Sequence, residues 1–424
     1  MPAEQQVWPG STTRLLTFGG SYPGPTLRAL SGERFAVRVV NRLAEPTNVH
    51  WHGLVAPAQM DGHPADVLSP GAVRDYAFPI AQRAGTYWYH PHADGTTGRQ
   101  VYSGMAGFFL VADAEEGRLG LPAGDREIPL LLQDRRSYRD RSFTYAPSPM
   151  DVLSGYLGDA ALVNGVPGAS LSVAASLYRF RILNGSNARI FRLALSDGRA
   201  LHVIGTDGGL LERPIATASV DLGPGERLDV LVDLSDVVPG RSVSLRSLAF
   251  FGGGMGMGGS GTQGAPMELL RLDVERLGPL TPPVPDRLVS LDRLDPSRAV
   301  STRRFVFEMT MPPFAGGARI NGRSFSPSRI DERVRLGNLE VWEFVNASNE
   351  PHPVHVHAAS FQVVSRSLGA LGPQDLGWKD TVLTWPGETV RVAIRFSHYP
   401  GLYVLHCHNL EHEDAGMMLN VEVE

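Results

Sequence analysis

The chain has 424 residues, 42% of them hydrophobic and 20% charged, with a formal net charge of -5; that length supports two to three domains with ample core, and the acidic balance argues against a nucleic-acid binder, which calls for a basic stripe. No apolar run approaches the length of a membrane span, and "MPAEQQVWPG" lacks the charged and apolar segments of a signal peptide, which leaves either a cytoplasmic protein or the mature form of a periplasmic or secreted one. A single cysteine forbids an intrachain disulfide, so cysteine usage is silent on the redox compartment.

Strand signals dominate in chain order: "ERFAVRVVN" (33–41), "TYWYH" (86–90), "YRFRILN" (178–184), "RLDVLVDL" (227–234), "VWEFVN" (341–346) and "TVRVAIRF" (389–396). Each is short, rich in β-branched and aromatic residues, and bounded by Gly, Pro, Asn or Asp. No long stretch has helical periodicity, and 47 Gly and 32 Pro suit many turns. The pattern predicts an all-β chain of sandwiches or barrels.

An internal repeat divides the chain. "SYPGPTLRALSGERFAVRVVNRLAEPTNVHWHG" parallels "NGRSFSPSRIDERVRLGNLEVWEFVNASNEPHPVHVH": a strand ending in Asn (Asn41, Asn346), then Glu-Pro, then His-x-His. Downstream, "SPGAVRDYAFPIAQRAGTYWYHPH" parallels "WPGETVRVAIRFSHYPGLYVLHCH", each with Pro-Gly, an alternating strand, Gly-x-Tyr and a second His-x-His. A middle copy, "NGVPGASLSVAASLYRFRILNGSNARIFRLAL" followed by "GPGERLDVLVDL", lacks both pairs. The expected division is three β-domains, 1–115, 125–275 and 285–424, joined by the linker-rich stretches 113–127 and 275–287. The first and third are expected to hold metal ligands and the second none.

Eight of the 13 histidines form the pairs His50/His52, His90/His92, His355/His357 and His406/His408. Residues i and i+2 of a strand share a face, so each pair aims two imidazoles in one direction. One pair would suit an ordinary core; eight converging imidazoles without a metal would be unpaired or mutually repelling. Cys407 stands between His406 and His408 and points the other way, so its thiolate can bind one metal while its neighbours bind others. His352, His412 and Met417 are its available partners. Two imidazoles, a thiolate and a weak axial thioether make the donor set of a blue-copper electron-transfer site. The backbone from Cys407 to its flanking histidines is then a short covalent route for electrons.

"HWHG", "YHPH", "HPVHVH" and "HCHNLEHEDAGMM" together resemble the four copper motifs of the multicopper oxidase family, in particular three-domain bacterial laccases and cuprous oxidases. The resemblance covers essentially the whole chain and implies three consecutive cupredoxin-like Greek-key β-sandwich domains. It implies four copper ions: one type 1 on His352, Cys407, His412 and axial Met417, with Met418 as rival; one type 2 on His50 and His355; and two type 3, on His52, His90 and His408 and on His92, His357 and His406. It implies that a reducing substrate gives single electrons through an exposed edge of His412, and that O2 is reduced to water at the three-copper cluster. Phenols, aromatic amines or Cu(I) are the expected donors, with no nucleic-acid partner and a monomeric chain.

Reduction of O2 to water consumes protons, which a buried cluster must receive from acids. Glu413 matches the family's glutamate near the type 3 pair and also suits a hydrogen-bonding partner for a ligand. Asp61, in "AQMDGHP", matches the acid near the type 2 water channel, although an acid before Gly62 also suits an ordinary turn. His63 lies close to it; His202 and His398 read as structural or surface residues. Met255, Met257 and Met267 fall in the Gly-rich stretch "FFGGGMGMGGSGTQGAPMELL", where soft thioethers suit a Cu(I) relay over the type 1 site or simply fill a groove. Met309 and Met311 stand at strand spacing and read as core or strand flank. A copper nitrite reductase would need fewer histidines, and a copper store or envelope scaffold on the same fold would have lost ligands.

Overall fold

In the first unit an alternating strand pairs with another alternating strand. In the computed structural model, which describes residues 1–137, 141–251, 262–279, 283–310 and 317–424, Arg34–Val40 runs antiparallel to Val73–Pro79. Phe35, Val37 and Val39 turn inward onto a core of Trp51, Tyr76, Phe78 and Phe109, while Arg34, Ala36 and Arg38 stay exposed. A three-stranded sheet of Gly24–Leu30, Gly107–Ala112 and Gly85–Tyr89 closes this first β-unit.

The middle unit packs a seven-stranded sheet against a five-stranded one. Its strand Leu177–Asn184 is buried along its whole length, between Glu127–Arg135 (parallel) and Arg227–Asp233 (antiparallel), and so reads as a continuous apolar run interrupted by two arginines. Those charges are tolerated because they are paired: Arg179 with Asp229 and Glu116, Arg181 with Glu127 and Glu116. Beyond the strand Met267–Leu277, Leu288 enters the same core. The third unit stacks six strands on five around Phe305, Trp342, Phe344 and Phe361.

The asparagine that ends one strand of each repeat has one structural job in all three. Asn41, Asn184 and Asn346 each accept a bond at Oδ1 from the N–H two residues on: Leu43, Ser186 and Ser348. Each donates from Nδ2 to two backbone carbonyls: Glu45 and Leu68, Arg189 and Leu222, Glu350 and Thr384. A short amide that mimics a backbone turn sets the exit of the strand. In the first and third units, that exit leads into a histidine pair. All the helices among the described residues are short, at most six residues, and none is long and apolar enough to cross a membrane.

Candidate metal centre

Strand pairing brings the histidines together before any packing between units is considered. His50 and His90 face each other in an antiparallel bridge, with N–H to O distances of 2.9 and 3.2 Å. In the third unit, His355 of the strand His352–Val356 lies opposite His406 of Gly401–Cys407. Each unit therefore presents two His-x-His pairs side by side, and the two presentations meet. All eight imidazoles are at most 1% exposed.

The ring nitrogens divide into an outer and an inner set. On the outer side, Nδ1 of His50 bonds the Asp61 carbonyl (2.8 Å), that of His355 the Asp380 carbonyl (2.8 Å), that of His90 the Pro91 carbonyl (2.7 Å) and that of His357 the Asp61 carboxylate (2.7 Å). Glu413 spans two more, with Oε2 3.1 Å from Nδ1 of His406 and Oε1 3.4 Å from Nδ1 of His92. His52 is reversed: its Nε2 lies 3.0 Å from both Asp380 Oδ1 and Thr381 Oγ1, and its Nδ1 faces inward. The inner nitrogens approach one another: His50 to His355 at 3.4 Å, His52 to His90 at 3.3 Å, His92 to His406 at 3.1 Å and His357 to His406 at 3.2 Å. Both ring nitrogens of His408 lack a hydrogen-bond partner; its ring centroid is 5.0 Å from that of His52 and 5.2 Å from that of His90.

Burial and mutual repulsion hold His50, His52, His92, His357 and His408 well below the ordinary histidine range, and burial takes His90 down to about 3. These rings are neutral near pH 7. With the outer nitrogens of His50, His52, His90, His355 and His357 committed as donors to carbonyls and carboxylates, their inner nitrogens carry lone pairs that face one another. Such an array suits cations bound between them.

The second cluster lies on the opposite face of the same strand. Cys407 Sγ is 3.4 Å from Nδ1 of His352 and 3.6 Å from Nδ1 of His412, and those two nitrogens are 3.1 Å apart. The far nitrogens are engaged, His352 Nε2 with Ser348 Oγ at 2.7 Å and His412 Nε2 with the Leu153 carbonyl at 2.8 Å. Burial raises the Cys407 thiol and lowers both imidazoles, His412 to about 4. The Met417 carbonyl accepts a hydrogen bond from the Cys407 N–H at 3.0 Å and Met417 joins Cys407 in the third core, whereas Met418 pairs across from His406. Met417 therefore shares the cysteine's face.

Several expectations change. The sequence leads one to expect an exposed edge on His412, but it is 0% exposed, because the helix Pro149–Ser154, distant in sequence, lies over it. Met267 was expected in a loop; it opens the strand Met267–Leu277 opposite Ser247 and packs half-buried on the middle core. The alternating "MELLRLDV" outweighs the glycines upstream. Met255 and Met257, like Met311, lie outside the described residues, whereas Met309 packs on the third core as expected. Asp61 is 1% exposed and bonded to a cluster histidine, so it is no ordinary turn acid; burial pushes its carboxyl well above the usual range. His63 bonds Asn420 at 2.8 Å, His202 is half-buried and His398 exposed, and none joins either cluster.

Sequence reasoning missed Asp380 and the buried charges behind it. Arg227 grips Asp380 with both terminal nitrogens, at 2.7 and 2.5 Å. Lys379, the only lysine of the chain, is fully buried between Asp207 (3.0 Å) and Glu226 (3.1 Å). The one available signal was a lone lysine beside an aspartate in a strand-like stretch.

Comparison with known proteins agrees with this geometry. Residues 3–116, 142–241 and 293–424 each match a domain pattern described as multicopper oxidase. A laccase of Bacillus stratosphericus is 33% identical, over 97% of this chain and 91% of its own length. The cell division protein FtsP of Xenorhabdus nematophila is 35% identical, over 91% of this chain and 80% of its own. The crystal structure of the McoA multicopper oxidase from Aquifex aeolicus superposes with a TM-score of 0.91 at 35% identity, covering 100% of this chain and 95% of that one. The chain belongs to the multicopper oxidase family and is a laccase-like oxidoreductase that uses oxygen as electron acceptor.

Proposed function

We propose that the chain holds four coppers: a type 1 ion on His352, Cys407, His412 and Met417; a type 2 ion on His50 and His355; and a type 3 pair on His52, His90 and His408 and on His92, His357 and His406. The reading is supported by facing, lone-pair-bearing imidazole nitrogens in a buried cluster, which repel one another unless cations lie between them. The thiol with two imidazoles on the opposite strand face suits one soft, redox-active ion. The domains would run over 1–115, 125–275 and 285–424, with the strand Met267–Leu277 and Leu288 carrying the middle core past the second boundary.

Copper bound there supplies one-electron chemistry, coupling oxidation of a small donor to reduction of O2 to water. The protein's own residues do the rest. The covalent chain through Cys407 joins one cluster to His406 and His408 of the other. Burial keeps bulk solvent off the side chains of both. Asp61 and Glu413 touch the outer nitrogens of His357, His406 and His92, where each can hold a proton at the edge of the cluster. Because His412 is covered, the donor docks over Pro149–Ser154, and its electron reaches His412 through that segment. Phenols, aromatic amines and Cu(I) are the proposed donors.

Relationship to a cell division protein raises a non-enzymatic reading, a scaffold on the same fold. Retention of the full donor set favours the oxidase. Side-by-side oxidation of a phenol and of Cu(I) with oxygen uptake measured is the test: turnover of either supports the proposal, and a copper-loaded protein that consumes no oxygen with either leaves the scaffold.

A further inference from the structure

The middle unit carries no histidine pair, yet it reaches the cluster through one guanidinium. Arg227 is fully buried and bonds all three units: Nε donates to the Thr86 carbonyl of the first (2.8 Å), Nη1 and Nη2 to the Gly225 and Asp207 carbonyls of its own (3.0 and 3.1 Å), and both terminal nitrogens to Asp380 of the third. Five donors in a rigid plane are thereby used in full, which a lysine could not do. Asp380 in turn receives His52 on Oδ1, and its own backbone carbonyl receives His355. Thr381 Oγ1 completes the arrangement, 3.0 Å from His52 Nε2 and 3.1 Å from His355 Nδ1. The outcome is asymmetric. His52 turns Nδ1 inward, whereas His50, His90, His355 and His357 turn Nε2 inward.

We infer that the Arg227–Asp380 pair is a positioning clamp by which the ligand-free middle unit selects Nδ1 of His52 as its metal-binding nitrogen and seats His355 beside it. The clamp rests on the four-copper reading above. A carboxylate that accepts the outer N–H of a ligand histidine fixes its tautomer and ring orientation and raises its basicity. The guanidinium keeps that carboxylate ionised and aimed. Neither residue touches the Cys407 cluster by any hydrogen bond described above, so that cluster is an internal control.

The test compares the wild type with Asp380→Asn and with the neutral double variant Arg227→Gln/Asp380→Asn, each loaded with copper and then titrated with a copper chelator. The near-ultraviolet shoulder of the type 3 pair reports one cluster and the blue band the other; thermal melting of the metal-free proteins reports the fold. The clamp predicts that the shoulder is stripped at about 10–100-fold lower chelator activity with the blue band close to wild type in both variants, and the metal-free melting temperature close to wild type in the neutral double variant, since Asp380→Asn alone leaves a buried guanidinium without its carboxylate. Retention of the shoulder at wild-type chelator concentrations overturns it. So does loss of shoulder and blue band together, or failure of both variants to fold without metal, since either shows a general structural tie. If the wild type itself never develops the shoulder, the four-copper reading fails; if it does and the variants match it, only the clamp fails.

Discussion

The carbonyl of Leu153 accepts a hydrogen bond from Nε2 of His412 at 2.8 Å, and that bond seals the face of the Cys407 cluster that was expected to be open. The covering helix, Pro149–Ser154, is held from both ends. Ser148 and Asp151 form a capping box, Arg136 pairs with Asp151, and Ser154 donates to Glu350 at 3.2 Å.

Gly155 ends the cover at φ 90° and ψ 152°, and a Cβ there would lie 2.1 Å from Cβ of Ala188. Gly155→Ala should therefore cost about 1–3 kcal/mol in backbone conformation, with overlap added, and displace the cover. The expected outcome is a lower midpoint in denaturant unfolding together with a raised KM for the reducing substrate. An unchanged midpoint would show that the cover yields without strain.

Met417 shares the face of Cys407 and Met418 does not. Met417→Leu conserves volume, so stability should change by less than about 1.5 kcal/mol. Loss of the thioether should raise the type 1 potential in a redox titration, because the axial ligand tunes it. Met418→Leu should leave the potential where it was; the reverse pattern would reassign the axial ligand.

Glu413→Gln and Asp61→Asn remove an acid from the outer nitrogens of the cluster. Steady-state oxygen consumption should fall about 10²-fold or more in each, while anaerobic bleaching of the blue band by substrate keeps its rate. Equal slowing of both steps would mean that the acids serve the fold and not the protons.

The metal-free protein should be acid-sensitive. His50, His52, His92, His352, His355, His357 and His408 have folded-state values depressed below the unfolded one of about 6.5, as do His412, to about 4, and His90, to about 3. Groups of this sign contribute stability that is full above the unfolded value and is lost as pH falls toward the folded values. Asp61, Asp94, Glu226, Glu350, Glu411 and Asp414 act oppositely, since their raised carboxyls weaken the fold as pH rises above the ordinary carboxylate range, but the depressed histidines outnumber them. Thermal melting should drop steeply between about pH 6.5 and about pH 4, and copper should leave over the same range because protons compete for the same nitrogens. A flat melting profile would mean that the rings are not held neutral by burial.

Both clusters were legible in the sequence because their geometry is local. Spacing of two along the strand Gly401–Cys407 and its continuation sets the direction of His406, Cys407 and His408, whereas in the first unit only the bridge between His50 and His90 is strand-like and His52 already lies in a turn. The repeat added which pairs are equivalent, and the shared asparagine turn shows why the repeat persists in the middle unit after its histidines are gone. What the sequence hid depends on contacts between distant segments. Asp380 looks like any strand-end acid until Arg227 is seen against it, and His412 looks exposed until residues 149–154 fold over it. Met267 was misjudged from the glycines before it, although its own alternation marks a strand.

Copper stoichiometry, read together with absorbance, tests the central claim most directly. Metal analysis of the fully loaded chain should give four coppers, with a blue band from Cys407 and a near-ultraviolet shoulder from the copper pair held by the histidines. A saturated protein with one copper and a blue band alone would contradict the cluster built from the four His-x-His pairs, and a colourless one would contradict both sites.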